Sequence, residues 1–203
     1  MMMDVWALAR SRNITVLTEG VPADVKGVAF QRGDCWYIMV SPHLTREQQN
    51  FVMAHELAEI EFNEREDLSL DERHQLANHR AGEILLPEEE FGMAVHQHDL
   101  DMLKSHYPHC SYEVIARRTL AFIPRILTIL DNGLQTTRIA SENVQYPYDM
   151  TDPEQEAVAE CVRRREKIEV AVDHENLGLT AHYIDQNRGF VRVILFTEIR
   201  DFM

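Results

Sequence analysis

His55 and Glu59 stand four residues apart in the run Thr45–Phe62, TREQQNFVMAHELAEIEF, with Glu56 directly after the histidine. A helix turns about 100° per residue, so His55 and Glu59 project the same way from adjacent turns, beside Phe51, Ala54, Ala58 and Phe62. An imidazole and a carboxylate on an otherwise apolar stripe are costly to bury unless partnered, and a metal ion partners both. His74 is a third candidate donor. Zinc takes imidazole nitrogen and carboxylate oxygen, and a catalytic site keeps three protein ligands with the fourth position left for water. His55, Glu59 and His74 would supply that set for one Zn2+ ion. Glu56, about 100° around the helix from His55, could then act as general base on the bound water. The plainer reading stands beside this one: an inward histidine is often a hydrogen-bonded core residue, and Glu59 with His74 could be an ion pair between helices.

Local signals say which elements would carry these groups. Thr45 with Gln48 has the form of a capping box, and Ser69 with Glu72 repeats it. The second helix is expected from about Leu70 to Leu86, stopping before Pro87, with Leu70, His74, Ala77, Ala81 and Leu85 on one stripe and His74 aimed inward. Upstream, residues 2–12 read as a short helix and 14–17 as a strand. Residues 28–30 and 36–40 flank Arg32-Gly33-Asp34 as a hairpin. Ser41-Pro42 would then deliver 36–40 close to His55. Residues 63–67 are a charged, solvated link.

Downstream, 88–95, 100–104 and 112–121 read as helices. The last two, with Ser111 as a cap and Arg117 and Arg118 on the second, have a helix-turn-helix layout. Packing support for the site is the preferred reading, because the recognition positions are poor in base-reading residues. Pro124 marks the expected boundary between a domain of residues 1–123 and a small α/β module of 124–203. In the module, Asp131-Asn132-Gly133 between apolar runs signals a hairpin of 126–130 with 134–139. A helix is expected from an Asp152 cap to about Ile168, followed by strands at 169–172, 179–184 and 190–199, with turns at 176–178 and 187–189.

The fold class expected is α+β. The net charge of −14 disfavours a general nucleic-acid binder. Cys35, Cys110 and Cys161 are odd in number and lack CxxC spacing, so neither disulfides nor a cysteine zinc site is expected. Reduced thiols, a poor signal-peptide pattern and the lack of a bilayer-length apolar run lead to an expected cytoplasmic location without a membrane partner.

Two stretches resemble a known family. Phe51-Val52-Met53-Ala54-His55-Glu56-Leu57-Ala58-Glu59 is similar to the F-x-x-A-H-E-L-x-H motif of the ImmA/IrrE family of M78-like zincin metallopeptidases. Leu76 to Pro87, LANHRAGEILLP, is similar to the tail of its E-x-x-A-N-x-F-A-x-E-L-L-x-P motif. Coverage is roughly the first 122 residues. Two departures are reciprocal: Glu59 stands where the family has its second histidine, and His74 where it has its third-ligand glutamate. Two imidazoles and one carboxylate are thus retained. Arg80 replaces an aromatic. The resemblance implies a zincin-like domain and a zinc endopeptidase that cleaves a protein partner of the transcriptional-repressor kind. In zincin-like sites an edge strand beside the metal helix holds the substrate as an added strand; Trp36, Tyr37, Ile38, Met39 and Val40 are the candidates. The alternative is a metal-binding regulatory or interaction protein without proteolysis. DNA binding through 98–122 is the third and weakest reading.

Overall fold

The computed structural model describes residues 4–22, 24–65, 67–172, 176–186 and 189–199. Met2 and Met3 of the expected first helix, Glu66 of the link, and 187–188 of the last expected turn lie outside them. The chain divides into two compact units, Met1–Arg118 and Thr119–Met203, against the expected boundary after residue 123. Among the described residues there are seven helices and two sheets, an α+β architecture.

The first unit opens with α1 (Val5–Ser11), capped by Asp4, whose carboxylate accepts from the N–H groups of Trp6 and Ala7. Strands β1 (Thr15–Leu17), β2 (Gly27–Arg32) and β3 (Cys35–Val40) form a sheet in the order β1-β3-β2. The β2–β3 hairpin closes through Gly33 at φ 62°, the left-handed conformation that favours glycine at the first loop position. β1 runs parallel to β3, pairing Thr15–Leu17 with Tyr37–Met39. β3 is therefore the interior strand, hydrogen-bonded on one side to β1 and on the other to β2. This corrects the expectation that Trp36 to Val40 offers a sheet edge. β1 and β2 are the edges of this sheet, and it is β2 that carries the main-chain hydrogen bond to Glu56, from Ala29.

Helices α2 (Arg46–Glu61) and α3 (Leu70–Leu85) begin at the two expected capping boxes. Thr45 N–H donates to the Gln48 side chain at 2.9 Å and Ser69 N–H to the Glu72 carboxylate at 2.9 Å. α2 packs against β2, β3, α1 and α3. Met53 and Leu57, off the expected apolar stripe, are fully buried, so α2 is enclosed around most of its circumference. On α3 the stripe holds only for Ala77, Ala81 and Leu85, which are buried; Leu70 is 71% exposed.

Three further helices, α4 (Glu88–Val95), α5 (Leu100–His106) and α6 (Tyr112–Thr119), brace this core. Lys104 Nζ donates to Glu47 at 2.6 Å and to the carbonyl of Cys110 at 2.6 Å, while Asn50 Nδ2 donates to the carbonyl of His109 at 3.0 Å. The α5–α6 turn is thus tied to the start of α2. Arg118 is buried and donates to the carbonyl of Leu86, and Arg117 pairs with Glu113 at 2.9 Å. Arg118 therefore belongs to the packing of the unit, while Arg117 lies at its surface.

The second unit is an antiparallel sheet in the order β5-β4-β8-β7-β6, from β4 (Ile126–Asp131), β5 (Leu134–Ala140), β6 (Ile168–Val172), β7 (Leu177–Asp185) and β8 (Val191–Ile199). Asn132 and Gly133, at φ 49° and 82°, close the β4–β5 hairpin as a two-residue loop of the kind Asn-Gly favours. Helix α7 (Asp152–Arg164) lies over one face, burying Ala157, Val158 and Cys161 against Leu130, Leu179, Ala181, Val193 and Leu195. Its cap is Thr151, one residue earlier than expected, because the Glu154 carboxylate accepts from the Thr151 N–H at 2.8 Å. The same carboxylate pairs with Arg138 at 2.9 Å, both side chains being 1% exposed, and accepts from Thr197.

Candidate metal centre

α2 and α3 lie side by side, and their contact brings His55, Glu59 and His74 together. One ligand atom from each lies within 4.8 Å of the others. Glu59 Oε1 is 3.6 Å from His55 Nε2 and 3.3 Å from His74 Nδ1, and the two imidazole rings meet edge-on with centroids 4.5 Å apart. His55 is buried, whereas the His74 side chain is 62% exposed. The inward aim expected of His74 is corrected accordingly: near the first turn of α3 it reaches Glu59 from the solvent side.

Burial, and the neighbouring charge of His74, hold the His55 pKa below its ordinary value; Glu59 and the Asn78 side chain oppose them. His55 is therefore neutral at neutral pH, the form that ligates a metal. Two imidazoles and a carboxylate brought together in this way are a donor set that fits a divalent cation.

Glu56 is buried, and burial raises its carboxyl to about 7, with Glu59 adding and the Ala29 hydrogen bond opposing. A carboxyl near 7 sits where proton transfer at neutral pH is most effective. Gly27, at the start of β2, makes room for it: a Cβ there would lie 3.2 Å from Glu56 Oε1. Trp36 to Val40, by contrast, are not brought to the site as an edge.

Four neighbours were not foreseen. Arg73 Nε lies 3.2 Å from Glu59 Oε2, an ion pair not aligned as a hydrogen bond. Asn78 follows His74 by four residues, a spacing that would have placed both on one face. Gly27 and Ala29 act through backbone, which leaves little trace in side-chain patterning.

Residues 9–120 match the Peptidase_M78 family, described as the IrrE N-terminal-like domain. The chain belongs to this peptidase family. The match spans both α2 and α3, so the His55–Glu59–His74 group lies within it. A Mycobacterium tuberculosis transcriptional regulator has a similar structure, with a TM-score of 0.73 at 21% identity, covering 96% of this chain and 69% of that one. At that identity the likeness is one of fold. No curated protein matches the chain. No helix among the described residues is long and apolar enough to cross a membrane.

Proposed function

We propose that this chain is a zinc-dependent endopeptidase acting on a protein partner in the cytoplasm. The observation that carries the reading is the convergence of His55, Glu59 and His74 beside buried Glu56. His55, Glu59 and His74 would hold the ion, which when bound supplies Lewis-acid polarisation of a carbonyl and a more acidic water. Glu56 would take a proton from that water and pass it to the leaving amine. A substrate segment would lie along the β2 edge, beside Glu56, as an added strand. The family points to a transcriptional repressor as the substrate class. Three free thiols accord with a reducing compartment.

The test compares zinc-loaded wild type with zinc-loaded Glu56→Gln on a pooled peptide library read by mass spectrometry. Cleavage by wild type alone supports the proposal; equal persistence of every peptide in both sinks it. A second reading, metal binding for regulation without cleavage, is favoured by one feature: Glu59 stands where the family has the second histidine of its motif. Zinc binding with no cleavage product would select it.

A further inference from the structure

The two oxygens of Glu59 have different surroundings. Oε1 faces His55 and His74, at 3.6 and 3.3 Å, while Oε2 faces Arg73 Nε at 3.2 Å. Arg73 precedes His74 on α3, and the turn of about 100° between neighbours sends them to opposite sides of one carboxylate. The Arg73 Nε is buried, and among the described residues it is ion-paired with that oxygen.

We infer that Arg73 is a positioning residue that confines Glu59 to ligation through one oxygen, Oε1 toward the metal and Oε2 held by the guanidinium. The inference rests on the three-residue metal centre proposed above. A carboxylate at this position differs from the imidazole it replaces in having two donor atoms. Were both to reach one ion, the protein would supply four donors, and a bound water would make the site five-coordinate instead of the four-coordinate arrangement of three protein ligands and a water. Outer partners of this kind commonly orient carboxylate ligands. If Arg73 served only to join α3 to α2, its removal would change stability and leave the coordination number alone.

The test uses the full chain loaded with Co2+, whose visible bands are more intense in four-coordinate than in five- or six-coordinate sites. Wild type, Arg73→Met, which has similar length and no donor, and Arg73→Lys are compared after circular dichroism confirms folding. Arg73→Ala replaces the Met variant if that one does not fold. The expected result is one Co2+ per chain with intense bands in wild type, a loss of intensity without loss of the ion in the truncated variant, and recovery in Arg73→Lys. Equal intensity in wild type and the truncated variant, or weak bands in wild type, overturns the inference while leaving the metal centre in place. A wild type that binds no Co2+ overturns the metal centre, and this inference with it.

Discussion

Replacing Gly27 with alanine adds one methyl group where β2 meets α2. The new Cβ would lie 2.2 Å from Val52 Cγ1 and 3.2 Å from both Glu56 Oε1 and the Met39 carbonyl oxygen. Carbon atoms prefer about 3.5–4.0 Å, so Val52 must retreat or β2 must lift. A β-branched residue in a helix has one strongly preferred rotamer, which makes retreat costly. The Met39 carbonyl belongs to the paired strand β3 and is fixed by the ladder. Overpacking of this kind costs about 1–3 kcal/mol, and the reduced freedom of the unfolded chain offsets about 0.4–1 kcal/mol. The net loss is about 1–2 kcal/mol. At a urea dependence of about 1–3 kcal/mol/M, the midpoint falls by about 0.3–2 M. Both tryptophans, Trp6 and Trp36, lie in the first unit, so their fluorescence follows its unfolding alone. In a Val52→Ala background the same substitution should cost less, by at least about 0.5 kcal/mol, as expected for residues in contact. An unchanged midpoint, or strict additivity of the two substitutions, would refute the packing on which the placement of Glu56 depends.

Other predictions concern charge and thiols. Glu154→Ala strands Arg138, whose side chain is 1% exposed, and should weaken the second unit by about 3–5 kcal/mol, read as lost hydrogen-exchange protection in 126–131 and 191–199. Unaltered protection there would show the pair to be dispensable. Burial would raise the Glu61 carboxyl, but hydrogen bonds from Arg12 and Arg80 lower it further. A depressed carboxyl stabilises above its unfolded value and loses that effect as pH falls through the folded one, so the gap between wild type and Glu61→Gln should close in acid. Partial exposure limits that gap to below about 1 kcal/mol, and a gap that widens on acidification contradicts the assignment. Cys35 is exposed, whereas burial pushes the Cys110 thiol to about 12 and the Cys161 thiol to about 11. A thiol-specific dye near pH 8 should therefore label Cys35 alone until the chain is denatured; rapid labelling of either buried cysteine would show that its unit opens readily.

Much of the site was legible because it is local. The two capping boxes, Thr45 with Gln48 and Ser69 with Glu72, set where α2 and α3 start, and helical spacing then put His55 and Glu59 on adjacent turns. The Asn132-Gly133 loop was legible for the same reason. What escaped depends on residues distant in sequence. β1 pairs in parallel with β3 across some twenty residues, and a period-two pattern carries no trace of which strand becomes interior. The exposure of His74 and Leu70 follows from where α3 starts relative to its neighbours, while the wheel records only their common direction. Arg138 and Glu154 are ordinary surface types in the sequence; only the fold places them face to face. The Arg73 contact with Glu59 could have been anticipated from its place before His74, once α2 and α3 are adjacent.

The central claim is that histidine and glutamate have traded places in a working metal centre. Metal content of the purified full chain, measured by mass spectrometry of the elements, tests it most directly. Wild type should carry one zinc ion per chain, and His55→Ala, Glu59→Ala and His74→Ala should each lose it while keeping their fold by circular dichroism. Full retention of zinc in Glu59→Ala and His74→Ala would contradict the account.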